Sequence, residues 1–289
     1  MIQFKNQFND YVKIFNNHLD KFLNDLKLDS PSVLRDAITY SVVDGGKRIR
    51  PILCLATAEM LGLNQEDVID YALTIELIHA YSLVHDDLEC MDNDDFRRGK
   101  LSTHKKYGEA IGVLTGDALL NLAIEKGLEK AKDINDIKVL KLIFDYAGYS
   151  GMIAGQVYDI NSASLSSLEE LLKINTNKTA KLITAPLLVS SIKAGAKYYE
   201  ELKTFGFNIG VLFQIVDDIM DEESSFDVMG KTPNKDKEEN KLTFVKLFGL
   251  EGAKEQSKNY YQKALDSIKL IPNHDFLVEL THYMFNRRS

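Results

Sequence analysis

Two groups of aspartates sit in stretches otherwise fit only for a helical core. In the segment FGFNIGVLFQIVDDIMDEE, residues 205–223, apolar side chains run nearly all the way round a helix, so that helix should be buried. It nevertheless carries Gln214, Asp217, Asp218 and Asp221 at spacing i, i+3, i+4, i+7. At about 100° per residue the four share one face. Carboxylates stacked on one wall of a buried helix repel one another and lose hydration. A multivalent cation would stabilise them there, as would protonation or basic partners. An N-cap role does not fit, because the cluster lies at the C-terminal end, where the helix dipole disfavours anions.

The upstream segment IELIHAYSLVHDDLECMDNDDFRRG, residues 75–99, repeats the theme. His79, Ser82 and Asp86 are spaced i, i+3, i+7 and share a face, with Asp87 about 100° round. Asp92 would lie about 120° from Asp86 on an ideal helix, so for the two to meet at one ion the helix must loosen or bulge after Leu88. No D-x-D-x-D-G spacing can be laid over residues 92–97, which excludes an EF-hand. Arg97 and Arg98 follow at once, with Lys100, His104, Lys105 and Lys106 beyond. Beside so many carboxylates these cations suit phosphate oxygens, with magnesium bridging between carboxylate and phosphate.

The elements that must position these groups read as helices. Apolar residues recur at a helical period over 4–28, 51–62, 67–88, 107–132, 136–160, 166–174, 177–194, 198–221, 243–248, 251–269 and 274–287. Ser30-Pro31 supplies an N-cap and a first-turn proline. No run of alternating β-branched residues argues for a sheet. The one irregular polar region, residues 222–241, is rich in charge and turn formers and reads as a surface loop or lid on a single domain spanning 1–289.

Bulk properties set the outer limits. The formal charge of −8 over 289 residues argues against a general nucleic-acid binder, which needs a basic face. Cys54 and Cys90 are too few and too far apart for a thiolate metal site or a disulfide scaffold, and read as free buried thiols in a reducing compartment. The opening residues MIQFKNQFND lack the apolar core of a secretory signal, and no uncharged run reaches the ~20 residues of a membrane span. A cytoplasmic protein without stable membrane insertion is expected.

Taken with GGKRIRP at 45–51, these motifs resemble the trans-prenyltransferase family, the head-to-tail isoprenyl diphosphate synthases, and among them the bacterial farnesyl diphosphate synthases. DDxxxxD followed by DDxRRG is met by Asp86, Asp87, Asp92, Asp94, Asp95 and Arg97-Arg98-Gly99. FQxxDDxxD is met by Phe213, Gln214, Asp217, Asp218 and Asp221. Lys178-Thr179, a GQxxD block (Gly155, Gln156, Asp159) and a GKTxxKD block from Gly230 to Asp236 occur in the family's order. Glu89 stands where a proline is frequent, and Asn234 where a glycine is frequent.

The resemblance implies an all-α, single-domain helical bundle around a deep central cavity, a homodimer, and two or three Mg²⁺ ions per site, with Mn²⁺ as a substitute. It assigns Asp86, Asp92 and, at second rank, Asp87 to one magnesium wall, and Asp217, Asp218 and Asp221 to the other. Lys47, Arg50, His79 and Arg98 would hold isopentenyl diphosphate. Arg97, Lys178, Thr179, Gln214, Lys231 and Lys241 would hold the allylic diphosphate. Asp86, Asp92, Asp217, Lys178 and Arg97 would then be the catalytic set for magnesium-assisted ionisation and head-to-tail condensation. The tyrosine five residues before Asp86, Tyr81, with Ser82 beside it, resembles the chain-length position of enzymes that stop at farnesyl diphosphate; geranylgeranyl diphosphate is the alternative product.

Two other readings need different residues. A His-Asp phosphohydrolase could use His85-Asp86 but needs further histidine ligands, and His18, His79, His104, His274 and His282 offer no second pair. A terpene cyclase would share fold and metal but has no need of a second cationic pocket such as Lys47, Arg50 and Arg98.

Overall fold

In a computed structural model, described here for residues 2–27, 29–43, 46–223 and 241–286, the chain is all-α. Its helices are α1 (Ile2–Asn24), α2 (Ser32–Val43), α3 (Ile49–Met60), α4 (Ile69–Asp86), α5 (Thr103–Tyr107), α6 (Glu109–Lys130), α7 (Ile134–Ala147), α8 (Met152–Ile160), α9 (Leu168–Asn175), α10 (Lys181–Lys193), α11 (Tyr199–Glu223), α12 (Phe244–Ile268) and α13 (Asp275–Phe285). The described strands are the two-residue pair β1 (Phe96–Arg97) and β2 (Lys100–Leu101), an antiparallel turn formed by the RRG sequence. Most of the expected segment 222–241 lies outside the described residues, and so does Lys231.

Two helices form the centre. Apolar on every side, α4 buries most of its residues, from Ile69 to Val84, and packs against α3, α6 and α10. α11 packs against α10 and α12 and buries Phe205, Ile209, Val211, Leu212 and Ile215. Each such side chain contributes about 1.5–3 kcal/mol when fully removed from water. With that much apolar burial fixing their axes, the two helices can carry charge at their C-terminal ends without losing their place.

Three helical runs are broken where the sequence pattern is continuous. The 107–132 run splits at Gly108, whose φ of 91° is readily adopted only by glycine. The 136–160 run splits between α7 and α8 at Gly148–Gly151. Before α10 the chain forms a π-helical turn over Thr176–Ala180, a widened turn that displaces side chains from the α-helical wheel. Gly155 of α8 packs against this turn, and a Cβ there would stand 2.1 Å from the Lys178 backbone nitrogen. Cys54 is buried, as the sequence suggested, but Cys90 is exposed on the turn after α4. Among the described residues no helix is long and apolar enough to cross a membrane.

Candidate active site

α4 stops at Asp86, and the chain then folds back on itself. The Asp92 backbone N–H donates to the Asp86 carbonyl at 2.8 Å and that of Asp94 to the Asp87 carbonyl at 3.1 Å. Asn93 takes the left-handed conformation, φ 49°, that lets the chain reverse. The helix therefore does loosen, at Asp87 and slightly before the position the wheel demanded, and Asp92 is brought back beside Asp86. The C-terminal turns of α11 supply the opposite wall. Asp86 and Asp92 line a polar cavity of about 190 Å³ with Asp217, Asp218 and Asp221.

Cations are interleaved with these carboxylates. Lys178, carried by the π-turn, reaches Asp159 at 2.5 Å. Lys241 bonds to Asp92 at 3.1 Å and lies 3.7 Å from Asp159. Burial lowers the affinity of Lys178 for its proton, but Asp159, Asp86 and Asp92 outweigh that and hold it above the ordinary lysine range. Burial likewise pushes the Asp86 carboxyl up to about 6; Lys178 and Arg97 oppose the shift, while Asp92 and Asp87 add to it. A wall of oxygen donors with one carboxyl this reluctant to ionise fits a hard divalent cation, which would relieve the repulsion.

A second cavity of about 570 Å³ adjoins the first and shares Leu83, Arg97 and Asp217 with it. Its polar side includes Lys47, Arg50, His79 and Arg98, with the Arg48–Glu76 pair beside them; its apolar side includes Ile183, Phe213 and Met220. The Arg50 Nε is buried without a hydrogen-bond partner among the described residues. Burial, reinforced by Arg98 and opposed by Glu76, brings its guanidinium down to about 10. His79 is held well below the usual histidine range by burial and by Arg50, Arg98, Arg97 and Arg48, so near neutral pH it offers one N–H and one lone pair. Arg98 adopts φ 57° and lays its guanidinium against Gly46, where a Cβ would stand 2.8 Å from Nη2. Glycine is favoured there chiefly by its φ of 139°, a conformation other residues rarely adopt; a larger side chain would also shift the Arg98 tip.

Several residues stand elsewhere than the sequence led us to expect. Asp87, expected on the magnesium wall, is turned away and lines neither cavity in the way Asp86 does; its buried carboxylate receives the Arg97 Nε at 2.9 Å and also Nη2. An arginine one short loop away neutralises it. Asp218 lines the small cavity but accepts from Gln214 Nε2 at 3.0 Å and from the Phe244 backbone N–H at 2.8 Å, which ties α11 to the start of α12. The Thr179 hydroxyl donates to Gln214 at 3.3 Å. Tyr81 is buried within the apolar core and sets its ring edge against His85, centroids 5.9 Å apart; Ser82 donates to the His79 carbonyl. Neither Tyr81 nor Ser82 lines the two cavities.

Other residues matter that were given no role. Asp159, quoted only as part of a motif, is the counter-ion of Lys178. Asn175 lines the small cavity with its Nδ2 unpartnered among the described residues. Arg48, in the same basic block as Lys47 and Arg50, is a structural clasp. It bonds to the carbonyls of Val42 and Val43 at the end of α2, and to Glu76 at 2.9 Å.

Known proteins resemble this chain in sequence and in fold. Residues 31–273 match the polyprenyl synthetase family. The chain is 40% identical over 263 residues to the farnesyl diphosphate synthase of Micrococcus luteus, covering 89% of this chain and 90% of that one. It is 42% identical over 271 residues to a chloroplastic geranylgeranyl pyrophosphate synthase of Capsicum annuum, covering 89% and 72% respectively. A crystal structure of a geranyltransferase from Helicobacter pylori, complexed with magnesium and isoprenyl diphosphate, superposes with a TM-score of 0.85 at 33% identity over 96% of this chain and 95% of that one.

Proposed function

This chain belongs to the polyprenyl synthetase family and is a prenyltransferase, and on that premise we propose that it makes farnesyl diphosphate from isopentenyl diphosphate and an allylic diphosphate. The observation that carries the reading is the pair of adjoining cavities. One is walled by carboxylates from α4 and α11 and the other by cations, and they share Arg97 and Asp217.

In this reading Asp86, Asp92, Asp217 and Asp221 hold magnesium, while Asp218 orients its wall and Asp87 orients Arg97. Bound there, the ion supplies Lewis-acid stabilisation of a departing diphosphate. Lys178, Arg97 and Lys241 neutralise the same oxygens from the protein side, aided by Gln214. Lys47, Arg50, Arg98 and His79 hold the second diphosphate, His79 as a neutral donor. Leu83, Ile183, Phe213 and Met220 offer an apolar wall for an allylic cation, and positioning of the isopentenyl double bond supplies much of the remaining catalysis. No side-chain nucleophile is needed.

Product length is the finer part of the proposal. Tyr81 lies five residues before Asp86 on α4, only 6% exposed, in the apolar cluster that also holds Val84 and Leu119. The likeness to the farnesyl diphosphate synthase of Micrococcus luteus supports a stop at fifteen carbons, with Tyr81, which lines neither cavity, acting through the packing of α4; the likeness to geranylgeranyl synthases keeps the twenty-carbon product as the alternative. A homodimer is supported by the apolar row left exposed on α6 and α7: Val113, Leu114, Ile124, Leu128, Ile134 and Ile137. The test is incubation with Mg²⁺, isopentenyl diphosphate and geranyl diphosphate, followed by sizing of the products. Farnesyl diphosphate is expected, and Tyr81→Ala should lengthen the chain. An unchanged product profile in that variant removes Tyr81 as the stop, and diphosphate release without elongation favours a cyclase or hydrolase.

A further inference from the structure

Outside both cavities, three side chains converge at the corner where the first aspartate loop meets α5 and α6. Glu89 comes from the turn after α4, His104 from α5 and Glu109 from the first residue of α6. One ligand atom from each lies within 4.8 Å of the other two. The carboxylates are exposed, whereas His104 is 3% exposed. Its Nδ1 shares a hydrogen bond with the buried Ser102 hydroxyl at 3.1 Å. Its Nε2 is buried with no hydrogen-bond partner among the described residues.

That is a costly way to leave an imidazole nitrogen, since an unsatisfied buried polar atom loses about 1–3 kcal/mol. The ring cannot easily turn to find another partner. Ser102 fixes the other ring nitrogen, and Gly112 of α6 lies close against the base of the side chain, where a Cβ would stand 2.9 Å from the His104 Cβ. A second contact draws the corner together: the Glu89 backbone N–H donates to a Glu109 carboxylate oxygen at 3.2 Å.

The geometry points to a second cation site, formed by His104 Nε2, Glu89 and Glu109, that takes a divalent transition metal of the zinc class. One imidazole nitrogen and two carboxylates are a borderline donor set, suited to Zn²⁺ and its neighbours in the first transition row; Mg²⁺ and Ca²⁺ prefer oxygen alone. Three protein ligands leave a position for water, as in open zinc sites. Donors at about 2.0–2.2 Å from an ion would stand closer together than 4.8 Å, and the two exposed glutamates can make that movement while His104 stays fixed. Ser102 is the outer partner that holds Nδ1 as the protonated nitrogen, leaving the Nε2 lone pair for the metal. Lys105, now 3.3 Å from Glu89, keeps Asp95 at 3.1 Å as its alternative partner. An ion here would pin the loop that carries Asp92 to the start of α6.

The experiment uses the whole protein, stripped of metal and then equilibrated with Zn²⁺ in a large excess of Mg²⁺ to occupy the aspartate cavity. Bound zinc is measured by elemental analysis, and Co²⁺ replaces Zn²⁺ as a spectroscopic probe of nitrogen and oxygen coordination. One zinc per chain is expected. Glu89→Gln, whose side chain is exposed, should bind at least ~10-fold more weakly while melting like the parent in the absence of zinc. Ser102→Ala should weaken binding by about 10- to 100-fold, the range for outer partners of a ligating histidine. Asp217→Asn should keep the ion. Equal zinc binding by Glu89→Gln and the parent overturns the site, as does no zinc on the parent. Loss of zinc in Asp217→Asn with Glu89→Gln unaffected places the ion in the aspartate cavity and also overturns it.

Discussion

Replacing Arg97 separates its structural duty from its proposed chemical one. Asp87 is 2% exposed and its carboxylate is held by the Arg97 Nε at 2.9 Å and by Nη2, which also reaches Asp94 at 3.2 Å. Arg97→Ala leaves that carboxylate buried without its principal cation. Breaking a buried pair from one side costs about 3–5 kcal/mol, which for a chain of this size lowers the melting temperature by on the order of 10 °C. Asp87→Asn alone removes the charge and keeps an acceptor, so it should cost less. The double variant has no stranded charge and should be more stable than Arg97→Ala, with a coupling of roughly 0.5–3 kcal/mol. The sign of the pH dependence is fixed as well. Burial already raises the Asp87 carboxyl despite Arg97; without Arg97 it rises further, above its unfolded value, so the folded state takes up the proton and the deficit of Arg97→Ala shrinks as pH falls. Thermal melts of the four proteins in chelator, at two pH values, measure both effects. Additivity within about 0.5 kcal/mol, or a deficit that does not change with pH, would refute the reasoning.

Two further perturbations follow from the same coordinates. His79 is held neutral in the fold but binds a proton below about pH 6.5 when unfolded, so it contributes stability above that pH that is lost as pH falls. His79→Gln should abolish this slope, worth about 1.4 kcal/mol one unit below the unfolded pKa; parallel stability curves for the two proteins between pH 7 and 5.5 would contradict the assignment. Gly155→Ala places a Cβ 2.1 Å from the Lys178 nitrogen and 2.5 Å from its Cα, and backbone cannot yield as a side-chain tip does. We expect a loss of about 1–3 kcal/mol from overpacking and a kcat lower by up to ~100-fold from displacement of Lys178. A normal melting temperature and kcat would show that the π-turn tolerates the shift.

What the sequence made legible was mostly periodic. Helical spacing placed Asp217, Asp218 and Asp221 on one face, and the mismatch between Asp86 and Asp92 required the break that the chain makes at Asp87. Less periodic features were hidden. Gly108 and Gly148–Gly151 were visible as residues, but a wheel does not say which glycine ends a helix. The π-turn at Thr176–Ala180 has no local signature, because the close approach of Gly155 on another helix accompanies it. Asp218 looks like Asp217 on the wheel, and only α12, arriving from 26 residues away, supplies the backbone N–H that sets it apart. Asp159 reads as one more surface acid until Lys178 reaches it.

These pairings bear on how the two cavities would meet their ligands. In the small cavity the cations already have carboxylate partners: Lys178 has Asp159, Lys241 has Asp92, and Arg97 has Asp87 and Asp94. A diphosphate entering there must displace or share those partners, and Lys241 in particular must give up Asp92, which the proposed reading assigns to magnesium. Binding on that side should therefore be cooperative with the metal, because the ion's claim on Asp92 is what releases the lysine. The large cavity differs in kind. Arg50 keeps a buried Nε without a partner among the described residues, and His79 stays neutral beside several arginines, so an anion there satisfies donors that are already in place. The shared Arg97 does not decide between the two sides, because its fork is held by Asp87 from behind. It acts as a fixed wall between a cavity that must exchange ion pairs and one whose arginine already waits for an anion.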